Sequence, residues 1–290
     1  MEQKINKKNI SFVFFGGEPL AVPVLETLYE NGYIPELIVC NPDKPKGRHL
    51  EITPPPTKLW AQAHDIKILQ PESLRNGSAT KELSDKKYDV FIVVSYGKII
   101  PQEVLDLPSK GTLNVHPSLL PLYRGPAPII APILNGDTKT GVTIILLDSD
   151  MDHGPILAQE ELLLQGNESA EELESSLVKI GGRLLAETLP KWVAGSLTPQ
   201  EQEHTEATYV KKIIKEDGLI TLDEDPIILS RKYRAYTPWP GIYFFHTTKE
   251  NTQMRVKIKQ AIATKDSFSI ERVIPEGRKE ISWEEFKRSY

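Results

Sequence analysis

Residues 89–95 read DVFIVVS, an apolar run without alternation between polar and apolar positions. A strand of this kind has both faces covered, as in a parallel sheet with helices packed on each side. The neighbouring pattern agrees. Residues 9–15 form a second apolar run ending in Gly16-Gly17, and residues 19–31 place Val22, Leu25 and Leu28 at helical spacing before an Asn31-Gly32 stop. Further strands are predicted over 34–40, 112–116, 141–147 and 155–164, with one helix from about Thr57, another closing over 82–87 and a long one over 168–192. Strands alternating with helices imply an α/β, Rossmann-like, mainly parallel sheet with right-handed crossovers.

Around 195–208 the composition shifts to Gly, Ser, Pro, Gln and Glu, which reads as a linker. The shorter strand-like runs beyond it, 242–247, 255–263 and 268–273, suggest a small β domain. Two domains are expected, 1–205 and 206–290.

The net charge of −5 over 290 residues argues against indiscriminate coating of nucleic acid, but leaves room for a local basic patch that docks one RNA. Cys40, the single cysteine, follows an apolar run and is expected to be buried. Met1-Glu2-Gln3-Lys4 lacks the apolar stretch of a signal peptide, and no apolar run reaches the ~20 residues of a membrane span. A soluble cytoplasmic protein, monomeric and without membrane association, is expected. Gly16-Gly17 is not followed by the glycine pattern of a dinucleotide fold. His49, His64, His153, His204 and His246 show no metal-ligand spacing.

The chemistry-bearing segment is 113–121, LNVHPSLLP. The two-residue period of a strand points Asn114 and His116 to the same side, near the carboxyl end where open α/β sheets place ligands. Pro117 and Pro121 stiffen the loop that follows. Taken alone, such a pair more often holds a turn than performs catalysis. Moving a formyl group to an amine requires stabilising an oxyanion and handling the amine's proton. A carboxamide such as Asn114 can donate to the oxyanion, and a protonated His116 can donate as well. A neighbouring carboxylate favours a charged imidazole and can shuttle the proton; Asp152, in the turn 150–155, is the candidate.

Residues 113–129, LNVHPSLLPLYRGPAPI, resemble the signature of the folate-dependent formyltransferases. The resemblance assigns catalysis to Asn114, His116 and Asp152, makes 10-formyltetrahydrofolate the donor, and implies no metal. The segment 93–101 resembles the family's folate-binding wall. On this resemblance Val94, Ser95, Tyr96, Gly97 and Ile99, together with Ser118, Leu119, Leu120 and Pro121, are the expected donor-binding residues. Likeness is greatest to the members that formylate initiator methionyl-tRNA. There the segment 41–48, NPDKPKGR, implies tRNA contacts by Lys44, Lys46 and Arg48, and 208–213, TYVKKI, implies contacts by Lys211 and Lys212. The resemblance also implies a second domain built as an OB-like β-barrel, reduced here because 255–275 is short. The alternatives are a formyltransferase acting on a nucleotide-linked aminosugar, a hydrolase of the same donor, and a non-catalytic folate- or RNA-binding module.

Overall fold

The two unbroken apolar runs lie side by side in the middle of a seven-stranded sheet. The computed structural model describes residues 9–46, 50–75 and 77–290. Its first stretch runs β1 (Phe12–Gly16), α1 (Ala21–Glu30), β2 (Leu37–Val39), β3 (Lys44–Lys46), β4 (Glu51–Thr53), α2 (Pro56–Ala63), β5 (Lys67–Leu69) and α3 (Ser78–Ser84). It continues through β6 (Val90–Val94), α4 (Gln102–Leu105), β7 (Thr112–His116), α5 (Ile130–Asn135), β8 (Lys139–Leu146), β9 (Ile156–Leu163) and α6 (Ala170–Val193). The large sheet has the order β5-β2-β1-β6-β7-β8-β9. β1 pairs in parallel with β2 and β6, β2 with β5, and β6 with β7; β8 then runs antiparallel to β7.

Every residue of β1 and β6 is buried. Burying a Val, Ile or Phe side chain contributes about 1.5–3 kcal/mol, so the nine such residues of the two strands anchor the sheet. Phe15 packs against Phe91 with ring centroids 5.3 Å apart and edge-on against Tyr96 at 5.5 Å. Cys40 is buried, as its apolar setting predicts.

Helix α6 carries Gly181-Gly182 without breaking. A β-carbon at Gly181 would lie 2.8 Å from Cγ1 of Val115, and one at Gly182 2.8 Å from Oγ1 of Thr27. The two glycines let the helix lie close over β7 and α1, which outweighs the ~1 kcal/mol that each costs in helix propensity. The helix expected to close over 82–87 is α3, which ends at Ser84. β3 and β4, which carry no strand signal of their own, pair antiparallel, Lys44 with Thr53 and Pro45 with Ile52.

Two compact units make up the chain. The first holds Met1–Arg124, Gly141–Glu161 and Ser175–Tyr209; the second holds Gly125–Thr140, Leu162–Glu174 and Val210–Tyr290. The segment 195–208, read from composition as a linker, is instead fastened to the first unit. Ile156 and Gln200 exchange backbone hydrogen bonds of 2.7 and 2.8 Å, and Arg124 donates its N–H to the Thr208 carbonyl at 2.9 Å.

The second unit contains α7 (Pro226–Tyr236), β10 (Tyr243–Thr247), β11 (Gln253–Ala263), β12 (Phe268–Pro275), β13 (Ile281–Ser282) and α8 (Trp283–Ser289). Its antiparallel sheet has the open order β10-β11-β12-β13. Inward Val256, Ile258 and Val273 are buried, as are Phe244 and Phe286. Helix α7 opens on Asp225, whose carboxylate accepts the Ile227 N–H at 2.7 Å, with Pro226 in the first turn. Helix α8 opens on Ser282, which accepts from Glu285 at 3.1 Å. Among the described residues no helix is long and apolar enough to cross a membrane.

Candidate active site

The carboxyl ends of β1, β2 and β6 are tied to one another through backbone groups. After β6 the chain reverses through Ser95 and Gly97, both with positive φ (47° and 74°). The Ser95 carbonyl accepts from the Gly17 and Glu18 N–H groups at 3.2 and 3.4 Å, and the Tyr96 carbonyl accepts from Asn41 Nδ2 at 2.9 Å. Lys98 Nζ donates to the carbonyls of Pro71 and Glu72 at 2.8 and 2.9 Å. Of the residues expected on the donor wall, Val94 and Tyr96 are buried in the sheet core, so what they offer a ligand is backbone. Ile99, 73% exposed, offers apolar surface. Around Gly97 the space is open: a β-carbon there would have no neighbour within 4 Å. These features suit a flat, largely apolar donor.

One strand away, β7 delivers Asn114 and His116. Asn114 is half-buried and lies in register between Val93 of β6 and Ile145 of β8. His116 is buried and stands opposite Thr143 of β8. Thr143 organises the loop after His116. Its hydroxyl donates to the Ser118 carbonyl at 2.6 Å and accepts from the Leu120 N–H at 3.1 Å and from Gln159 Nε2 at 2.9 Å. Gln159 Nε2 also donates to the Leu120 carbonyl at 2.9 Å. Ser118, fully buried, donates its hydroxyl to the Leu122 carbonyl at 2.6 Å. Leu120 is buried, Leu119 and Pro121 are half-buried, and the Leu120–Pro121 peptide is cis. The loop that the two prolines mark is thus built around polar anchors that sequence reading did not single out. Thr143 and Gln159 carry no local signal, because each acts on a loop more than 20 residues away.

Asp152 arrives from the turn between β8 and β9 with φ of 52°, a left-handed conformation that a non-glycine residue seldom takes. Its Oδ1 lies 3.6 Å from Nδ1 of His116. The other ring nitrogen, Nε2, lies 3.1 Å from the Tyr123 carbonyl. A carbonyl only accepts, so Nε2 carries a proton in this contact. One imidazole therefore stands between a carboxylate and a backbone oxygen. His153, next to Asp152, turns away to Asp148 at 2.8 Å and stacks on His204 with centroids 4.1 Å apart. His116 and Asp152 are brought together, and Asn114 lies two residues before His116 on the same strand.

The basic residues expected to meet tRNA fall in both units. Lys44 is exposed on β3, close to Asp43. Gln70 Nε2 and Lys58 Nζ, each 2.8 Å away, hold the Asp43 carboxyl below the usual carboxylate range. Arg48 and the side chain of Lys46 lie outside the described residues. Lys211 and Lys212 are exposed in the second unit.

An open α/β sheet carrying an Asn-His-Asp set at its strand ends defines a class, and the chain belongs to it: this is a member of the formyl transferase family. The family's model, "Formyl transferase", matches residues 8–189, and "Formyl transferase, C-terminal domain" matches residues 212–270. Among curated relatives, a methionyl-tRNA formyltransferase from Chloroflexus aurantiacus is 43% identical over 258 residues, covering 89% of this chain and 82% of that protein. Two solved structures share the fold at low identity. A methionyl-tRNA formyltransferase from Clostridium thermocellum superposes with a TM-score of 0.59 at 15% identity, over 94% of this chain and 99% of that one. An N-formyltransferase from Helicobacter canadensis, in complex with folinic acid and dTDP-3-aminofucose, superposes with a TM-score of 0.64 at 18% identity, over 90% of this chain and 98% of that one.

Proposed function

We propose that this protein transfers the formyl group of 10-formyltetrahydrofolate to the amino group of initiator methionyl-tRNA, in the cytoplasm and as a monomer. The observation that carries this reading is the 43% identity to a methionyl-tRNA formyltransferase over a span far longer than the catalytic signature. The strand-end triad supports the chemistry. In the balanced reaction the acceptor nitrogen bonds to the formyl carbon, the carbon–N10 bond of the donor breaks, and the proton lost by the amine ends on the folate.

The side chains divide the work. Asn114 donates its carboxamide N–H to the oxygen on which charge develops. His116 donates its Nε2–H to the same oxygen, exchanging the Tyr123 carbonyl for it when the donor is bound, and thereby stabilises it. Asp152, facing Nδ1, orients the ring and relays the amine's proton. The exposed Ile99 and the loop 118–121 flank the donor, with backbone groups of 94–97 available to its polar edge. Lys44, Lys46 and Arg48 of the first unit, and Lys211 and Lys212 of the second, contact tRNA phosphates.

The test is formyl transfer from 10-formyltetrahydrofolate to charged initiator tRNA, with uncharged tRNA as control. Formyl-methionyl-tRNA formed only from the charged species supports the reading. Release of formate independent of acceptor would instead mark a hydrolase.

A further inference from the structure

Beneath the Asp152 turn lies a polar cluster that the mechanism does not use. Arg124 is 1% exposed and Gln202 is 5% exposed, and they are fitted to each other. Nε and Nη2 of Arg124 both donate to Oε1 of Gln202, at 3.1 and 2.7 Å. Nε2 of Gln202 in turn donates to two backbone carbonyls, those of Asp152 at 2.9 Å and Gly154 at 2.7 Å. A guanidinium can only donate and a carbonyl can only accept, so the partners fix which end of the carboxamide faces which way.

The bond to the Asp152 carbonyl has a direct conformational consequence. That oxygen's position is set by the ψ angle of Asp152, whose φ is already in the left-handed region. Such a conformation is costly for a non-glycine residue and persists only where its surroundings enforce it. Pinning the carbonyls on both sides of His153 enforces it and aims the Asp152 side chain. Gly154 leaves no slack, because a β-carbon there would overlap the Leu146 carbonyl. Arg124 reaches the turn by a second arm: Nη2 lies 2.9 Å from Nδ1 of His204, whose ring stacks on His153. Nη1 donates to the Tyr209 hydroxyl at 3.1 Å, closing the cluster.

We propose that Arg124 and Gln202 are positioning residues that hold Asp152 against His116, so that the strap 200–209 works as part of the active site. The inference rests on the role given to Asp152 above. Neither residue touches the reacting atoms; both act through the geometry of the turn.

Gln202→Glu separates the two ends of the clamp. The glutamate still accepts from Arg124 but presents an acceptor to two carbonyls that need a donor. The measurement is kcat and KM with 10-formyltetrahydrofolate and methionyl-tRNA, in the wild type, in Gln202→Glu, in Asp152→Asn and in the double variant. The imidazole 15N signals of His116 are recorded alongside. Gln202→Glu is expected to lower kcat on the order of ten- to a hundredfold with KM for the donor little changed. It should move the His116 signals as Asp152→Asn does and add nothing in the Asp152→Asn background. If Gln202→Glu does not fold, Arg124→Lys, which keeps the charge but loses the fork, should give the same kcat loss. Full activity with unmoved His116 signals, or losses that multiply with Asp152→Asn, would overturn the clamp. Normal turnover in Asp152→Asn would instead remove Asp152 from the mechanism, and the His116 signals of Gln202→Glu would still report whether the clamp aims that side chain.

Discussion

Oδ1 of Asp152 stands 3.6 Å from Nδ1 of His116, although one residue ends β7 and the other sits in the turn after β8. The pairing of β7 with β8 sets Leu146 beside Leu113, and Pro155 returns to Leu146, so the turn between them must fold back along β7 to bring Asp152 to His116. Replacing Asn114, His116 or Asp152 by alanine is expected to reduce kcat by about 10²–10⁴-fold. Circular dichroism and the unfolding midpoint should stay close to wild type, because none of the three is part of the apolar core. Near-normal turnover in any one variant would remove that residue from the mechanism.

Thr143 is the anchor of the loop after His116, with one hydroxyl serving Ser118, Leu120 and Gln159. Thr143→Val keeps the shape and leaves a buried N–H and a buried carbonyl without that partner. A loss of about 1–3 kcal/mol in unfolding free energy is expected. The loop should loosen, raising KM for the donor more than KM for tRNA. Chemical denaturation and steady-state kinetics check both; equal changes in the two KM values would contradict the anchoring role.

Burial pushes the Cys40 thiol up to about 11, with a hydrogen bond from Thr57 opposing the shift. The folded state therefore keeps its proton where the unfolded chain begins to lose it. This contribution to stability is fully present below about pH 9 and fades as the pH rises toward 11. The loss amounts to a few kcal/mol at most. Cys40→Ala should flatten the alkaline limb of a stability profile, and iodoacetamide should label Cys40 at pH 8 only after denaturant is added. Rapid labelling of the native protein would show that the thiol is accessible.

Lys44, Lys211 and Lys212 are exposed and free to meet phosphates. Each Lys→Ala change is expected to raise KM for methionyl-tRNA severalfold, to reduce the salt dependence of tRNA binding by about one phosphate contact, and to leave donor KM alone. Titration at two salt concentrations checks this; an unchanged salt slope in all three variants would exclude them as phosphate contacts.

The sheet was legible because burial on both faces removes polar residues from a strand altogether, and 89–95 has none between its ends. Asn114 and His116 were legible because a strand's two-residue period needs no knowledge of the partner strands. The anchors of the site were not. Thr143, Gln159 and Gln202 act on segments 16 to 50 residues away, so nothing near them in the chain marks their role. The strap at 200–209 read as a linker for a related reason: Gln202, His204 and Tyr209 bond to Arg124, about 80 residues earlier in the chain, and polar residues that bond so far away look in composition like solvated ones. Helix α7 is a different case. Asp225-Pro226 is a legible helix start, but the strand-like runs 242–247, 255–263 and 268–273 that follow it drew the second unit toward a β reading.

The identity of the acceptor decides what this enzyme does. The most direct measurement is a competition in which 10-formyltetrahydrofolate meets initiator methionyl-tRNA and a nucleotide-linked aminosugar at equal concentration, with products resolved by mass spectrometry. Formyl-methionyl-tRNA is the expected dominant product, with its yield abolished by His116→Ala. Formylated sugar in excess over formylated tRNA would contradict it.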